Sequence, residues 1–435
     1  MAHGSMTRDL PLVRLDGFPR TIFLAVVVMA ALGALLFVAA LFTDADRAWQ
    51  AWLFNWLFFT TVAQGAVMFA AATVITKAVW ARPIRRISLS FVAFLPVAFL
   101  LYLPLAFVGE SLFPWTDHMY HEGMEVWLNT PFVAARNIVL LGALFGLSVY
   151  FAYLALRPDA GLYRDEMPER LRGLYGRLSQ GWRGQEQEEF EAWRKLNIVA
   201  PILGLVWAVA ISMVAWDYVM SLEAGWFSTM IGPYVFMGGF LGGVAATAIL
   251  AVTYRSHFAL DGVIEPPHLH DLGKLTFAFC VFWAYLFWSQ YIVIWYGMLP
   301  WEQTWMVHRF TQPFVGLSVL VLFLIFVAPF ASLLGVRAKK NPHFLATVAS
   351  VVLFGLWLER YMLVYPALYP GADLMPFSWP EVGVGLLFAA LFVASVTWFA
   401  TTFPILQTWQ PAVAGAMFDE ERTKDELGAP GRYPT

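Results

Sequence analysis

Charge is what this chain has least of. Only 13% of its 435 residues are Asp, Glu, Lys or Arg, while 60% are hydrophobic. A soluble domain carries about 25% charged residues, so most of this surface does not face water. The single cysteine, Cys280, excludes an intrachain disulfide, a CxxC pair and a cysteine-ligated iron–sulfur cluster within the chain. There is no P-loop, dinucleotide fingerprint or nucleophile elbow. A cleavable signal peptide is not expected, because the first apolar run is long enough to span and lacks a small-residue cleavage site. None of the eight histidines falls in the middle of an apolar run, so haem held between two facing histidines is not expected. The net charge of −3 says nothing about partners.

What the chain has in quantity is apolar length. About 20 apolar residues span a bilayer as a helix, and ten such runs are present, at 21–42, 51–75, 87–108, 131–156, 198–219, 231–254, 272–295, 313–334, 344–365 and 380–403. Twenty Trp, 38 Phe and 16 Tyr fit aromatic belts at both interfaces. With the N-terminus inside, only Arg47, Arg136, Arg309 and Arg360 of the 27 basic residues lie outside. The positive-inside rule therefore predicts cytoplasmic N- and C-termini.

The runs divide the chain into a cytoplasmic N-terminus (1–20), a peripheral first helix (21–50), a first unit (51–222), a second unit (223–366), an outer loop with the tenth helix (367–403) and a tail (404–435). Within the first unit, 157–196 reads as one or two cytoplasmic surface helices, with 185–194 solvated in preference to packed. The tail reads as extended along the inner surface or disordered. A weak repeat is visible. Pro131-Phe132-Val133 and Pro313-Phe314-Val315 lie 182 residues apart, and that offset also lays the second run on the sixth and the third on the seventh. Four helices per unit is an even number, which predicts two parallel four-helix bundles, helices 2–5 and 6–9, and argues against inverted repeats. The fold class is thus all-α integral membrane, with helices 1 and 10 peripheral.

Most runs hold no ionisable group, and intramembrane charges are expensive, so the exceptions are informative. Arg136 and Asp217 approach one level from the fourth and fifth runs; they can pair with each other or snorkel to the interface. Glu223 follows in the connection and is expected to reach water or a neighbouring subunit. Glu359 and Arg360 are adjacent, pointing about 100° apart on a helix, and are expected to need separate partners. Asp271 and Lys274 can pair at i, i+3, as an interfacial anchor in preference to a relay. Gln290, like Gln64 and Asn55, either lines a polar path or holds helices together. Asp117, His118, His121, Glu122 and Glu125 have the composition of a ligand set, but read as an acidic solvated loop.

Several stretches resemble one family. They are Trp216-Asp217-Tyr218-Val219-Met220-Ser221-Leu222-Glu223 with Trp226-Phe227-Ser228-Thr229, then His270-Asp271-Leu272-Gly273-Lys274, Phe282-Trp283-Ala284-Tyr285, Ser289-Gln290-Tyr291, Trp295-Tyr296-Gly297, Leu299-Pro300 and Lys340-Asn341-Pro342. The chain resembles the large membrane subunits of alternative complex III, which are similar to the membrane subunit of polysulfide reductase. It is most like the second of the two, usually lettered F.

The resemblance implies a subunit of a respiratory or photosynthetic quinol:cytochrome c oxidoreductase in a bacterial cytoplasmic membrane. Implied partners are a homologous ten-helix quinol-binding subunit, an iron–sulfur subunit, multihaem and monohaem cytochrome c subunits, small membrane subunits and lipid. Haem c and iron–sulfur clusters would belong to those partners, with no redox centre here and quinone a possible ligand. On this reading Arg136, Asp217, Glu223, Glu359, Arg360 and Gln290, with Asp271 and Lys274 at the inner mouth, are candidates for a proton path. The alternatives are direct quinol binding in the first bundle and, from another class, an independent secondary transporter.

Overall fold

Apolar sequence of this length can place its backbone polar groups in lipid only by bonding them within the segment, which forces helix. The computed structural model describes residues 10–116, 123–223 and 225–409, and among them the chain is helical throughout, without a strand. The principal helices are α1 (Arg20–Thr43), α2 (Ala45–Ile75), α3 (Val79–Leu105, partly 3₁₀), α4 (Thr130–Leu162), α5 (Glu169–Leu178), α6 (Gln185–Tyr218), α7 (Ile231–His257), α8 (Pro266–Gly297), α9 (Pro300–Phe310), α10 (Val315–Ser332), α11 (Pro342–Leu368) and α12 (Trp379–Thr402). All but α5 and α9 belong to the ten segments long and apolar enough to cross a membrane. Each of the ten coincides with a run expected from the sequence.

Local chemistry sets several helix starts. Asn129 accepts from the Phe132 amide at 3.0 Å ahead of α4, and Asn341 accepts from the Phe344 amide at 3.1 Å ahead of α11, each with proline at the next positions. Side-chain caps of this kind satisfy amides that have no helical partner. Ser378 and Glu381 close a capping box at the start of α12.

Two rings of contacts organise the helices. One joins α2, α3, α4 and α6; the other joins α7, α8, α10 and α11. They meet chiefly where α2 lies against α7, while α1 and α12 pack together at the side of α2 and α3. The α2–α7 crossing needs glycine: a Cβ on Gly65 would stand 2.0 Å from the Gly239 carbonyl oxygen, and one on Gly243 2.1 Å from the Ala66 nitrogen. Small residues let backbones approach where lipid offers no hydrophobic drive for association.

The chain departs from its sequence reading at the ends of the helices. Residues 185–194 are not a solvated surface segment, because α6 is continuous from Gln185 and buries Glu188 and Glu189 at 3% exposure each. Arg157 at the end of α4 grips Glu188 with two nitrogens at 2.6 and 3.0 Å, which makes burial of that charge tolerable. The start of the tail is neither extended along the surface nor loose. Ile405 donates to the Val13 carbonyl at 2.9 Å, and Ile405 to Trp409 are buried. The rest of the tail, 410–435, and residues 117–122 of the acidic loop lie outside the described residues.

The Gly239→Leu chain should lose its folded state in detergent, since the clash is with backbone and overpacking alone costs about 1–3 kcal/mol. Gly204→Ala, whose Cβ would meet only a Met68 methyl at 3.7 Å, should melt like the unmodified chain. Thermal unfolding of both, followed by size-exclusion, checks this; equal melting would refute the tight crossing.

Candidate functional site

Every buried charge must recover the hydration it loses, and most of the buried carboxylates do so through an arginine. Residues 10–19, α5 and 403–409 gather at one end of the helices, here the N-terminal face. The α6–α7 connection, α9 and 369–378 gather at the opposite face.

At the opposite face, Asp217 on α6 is fully buried and meets Arg136 on α4. The Arg136 Nε donates to Oδ2 at 2.8 Å, and Nη2 pairs with Oδ1, so the contact is bidentate. Asn137 donates to the same Oδ2 at 2.5 Å. The remaining Arg136 nitrogen, Nη1, donates to the Trp127 carbonyl at 2.8 Å, and the guanidinium lies 4.1 Å from the centre of the Trp127 ring. The pair therefore turns inward and does not snorkel. Beside it the hydroxyls of Tyr102 and Tyr218 share a hydrogen bond of 2.9 Å.

Glu359 and Arg360 on α11 are also buried, at 2% and 1% exposure, and here the expectation of separate partners fails: the Arg360 Nη1 contacts the Glu359 Oε2. Backbone vectors 100° apart do not prevent this, because the long arginine side chain wraps back around the helix. Gly238 on α7 leaves room for it, and the Arg360 Nη2 also donates to the Val235 carbonyl at 3.0 Å.

Glu223 finds its contacts within the chain at α9. Arg309 of α9 donates to it from Nη1 at 3.4 Å, and the His308 Nδ1 lies 3.2 Å from its other oxygen without hydrogen-bond geometry. Arg309 also donates to the carbonyls of Trp305, Met362 and Leu363. Burial pushes its guanidinium down to about 10, which leaves it cationic at neutral pH.

Asp271 and Lys274 pair at 2.6 Å on α8, partly exposed at the N-terminal face and apart from the buried charges. Gln290 lies near the opposite face, 3.5 Å from Ser228 in the α6–α7 connection. Gln64 bonds Ser148 at 3.0 Å and Asn55 accepts from Trp357 at 2.8 Å, both joining helices. Glu125, the one described member of the acidic loop set, accepts from the local Gly123 amide at 3.0 Å. Among the described residues no three His, Cys, Asp or Glu side chains are grouped as a metal requires.

Two stations were missed from the sequence. Asp159, in the last turn of α4 at the molecule's N-terminal face, accepts from Arg86 at 2.6 Å and from Thr408 at 2.5 Å. Thr408 and Trp409, which donates to the Ala155 carbonyl at 3.0 Å, bring the start of the tail onto this pair. Glu381 is buried at the head of α12, where Arg47 and Tyr365 donate to its Oε1 at 2.7 and 2.8 Å. A signal for the first was present. Asn137, Ser148 and Asp159 recur every 11 residues, three helical turns, and all three are buried on one face of α4.

No protein-family model matches the chain, and no curated protein matches it.

Breaking the Arg136–Asp217 pair from one side should cost about 3–5 kcal/mol, because it strands a buried charge. Asp217→Leu and Arg136→Leu should each lower the melting temperature of the full chain in detergent strongly, while the double variant recovers most of the loss. Simple addition of the two losses would show that the charges do not depend on each other.

Proposed function

We propose that the chain is a membrane subunit of a quinol-oxidising complex of the alternative complex III type, built as two parallel four-helix bundles with α1 and α12 outside. It serves there as scaffold and proton route, without a redox centre of its own. The resemblance of the helix 5–7 stretches supplies the class of complex. Parallel bundles are supported by the α2–α7 crossing. Ideal Cβ positions there relate Gly239 to Thr61 and Gly65, and Gly243 to Gly65 and Ala66, so both helices ascend together.

The observation that carries the proton role is the file on α4. Asp217 with Arg136 and Asn137 stands at one end, Gln64 with Ser148 in the middle, and Asp159 with Arg86 at the other. At 1.5 Å per residue, successive stations are about 16 Å apart along the axis. No hydrogen bond spans that interval, so conduction requires water or side-chain movement between stations. The two end stations each combine a carboxylate with donors that hold its charged form, while Gln64 and Ser148 in the middle supply only hydrogen bonds. On this reading Asp159 and Arg86 take the place at the inner mouth assigned to Asp271 and Lys274 from sequence. Glu359, Arg360 and Glu223 form a separate station in the second bundle.

Neutralising Asp217, Asp159 or Glu359, as Asn or Gln, in the assembled complex and counting protons released per electron tests the role. A reduced stoichiometry with normal assembly is expected for at least the two α4-file variants. Unchanged stoichiometry in all three would leave the chain a scaffold only.

A further inference from the structure

Positive charge gathers without matching negative charge at one corner of the second ring of helices. Lys274, Lys339, Lys340 and Asp271 surround His270 at the start of α8, on the molecule's N-terminal face. Asp271 is already paired with Lys274 at 2.6 Å. Arg337 and Lys340, in the connection from α10 to α11, are exposed and without a carboxylate partner among the described residues. Lys339 between them is buried. Its stem packs on Gly273 of α8, where an added Cβ would stand 2.8 Å from the Lys339 Cβ. Its ammonium lies 5.4 Å from the centre of the Phe277 ring and 3.4 Å from the Leu334 carbonyl oxygen. An ammonium has three donors, and one long bond leaves two for a ligand.

The same corner leads into an apolar groove. Phe277 stacks on Phe330 of α10 with ring centres 5.3 Å apart, and Phe330 packs on Phe326 at 5.4 Å. Phe326 lines a groove of about 950 Å³ between α8, α9 and α10, together with Val281, Ala284, Tyr285, Trp288 and Val327. The α10 wall departs from α-helix here, because Phe323–Val327 forms a π-turn, a feature common at functional sites. One leaflet's share of a hydrocarbon core is about 15 Å, or about ten residues of helix. Counted from Phe277, that length ends at Phe287, inside the groove.

We infer that this corner binds an anionic phospholipid, its phosphate held by Arg337, Lys339 and Lys340. One acyl chain lies over Phe277 and Phe330 and enters the groove. Basic pockets between spanning helices recognise such headgroups by charge and by donors to the phosphate oxygens. Charge decides against a zwitterionic lipid, whose own ammonium would join three cations that already lack a counter-charge. It also decides against an apolar segment of another protein, which would cover the groove and leave those cations unmatched. The inference rests on neither the resemblance nor the proposed complex, and needs only that α8 and α10 lie in a bilayer.

The test uses the full chain purified in mild detergent. It is illuminated with phosphatidylglycerol carrying a diazirine midway along one acyl chain and, in parallel, with phosphatidylcholine carrying the same chain. Each cation near an anionic headgroup strengthens binding about fivefold. Label from phosphatidylglycerol on peptides holding residues 281–288 or Phe326 should therefore exceed that from phosphatidylcholine by about fivefold or more. Excess unlabelled phosphatidylglycerol should displace it, and inorganic phosphate at the same concentration should not. Arg337→Gln combined with Lys340→Gln, at exposed side chains, should bring the phosphatidylglycerol label down to the phosphatidylcholine level. The melting temperature of that variant without added lipid should match the unmodified chain. Equal label from the two lipids would overturn headgroup recognition. Displacement by phosphate would make the corner a site for free anions and overturn the lipid. Absence of label in the groove would assign that surface to a protein neighbour. A preference that survives the double variant would put the headgroup elsewhere and overturn the assignment. The comparison of the two lipids on the unmodified chain decides the matter even where the variant does not fold.

Discussion

The close crossing of α2 and α7 is the constraint on which the rest depends. Gly65, Gly239 and Gly243 remove the side chains that would hold the two helices apart, and the backbones touch. In lipid, close packing and polar contacts replace the hydrophobic effect as the force between helices. With that seam closed, Asn55 of α2 reaches Trp357 of α11, and Thr247 of α7 reaches Ser88 of α3 at 3.0 Å. Both links cross from one ring of helices to the other.

Around this seam the buried charges obey a second rule: none is left to one partner. Asp217 has Arg136 and Asn137, Asp159 has Arg86 and Thr408, Glu381 has Arg47, Tyr365 and the Ser378 amide, and Glu188 has Arg157 and the Arg183 amide. A carboxylate needs several donors once water is gone, and a bidentate arginine supplies two at fixed geometry. Arginine, not lysine, fills every one of these positions. Glu359 is held by Arg360 and has Tyr234 and Trp283 beside it.

The sequence carried the spans plainly, because twenty apolar residues in a row have few other uses, and all ten runs are helices. It carried the Arg136–Asp217 encounter as a possibility, since both stand near the same end of neighbouring runs. What it hid were partners distant along the chain. Arg86 and Asp159 are 73 residues apart, Glu223 and Arg309 are 86, and Thr408 and Asp159 are 249. Polar residues beyond the apolar core of a run read as loop, because hydropathy cannot register that Arg157 neutralises Glu188 and lets α6 extend to Gln185. The Glu359–Arg360 contact was lost differently. A rule about backbone direction was applied to a side chain long enough to bend around it.

The two rings of helices are alike in plan and unlike in what they enclose. In the first, Gln64 bonds Ser148 and Trp56 and Tyr102 fill the space beneath Asp217, so polar groups mark the full length of α4 within a closed interior. In the second, α8 and α10 turn most of their surface outward, and the apolar groove between them leads from that surface to Glu359. A closed polar file suits a small ion that enters at the ends. A lateral apolar entrance suits a molecule that arrives through the membrane plane.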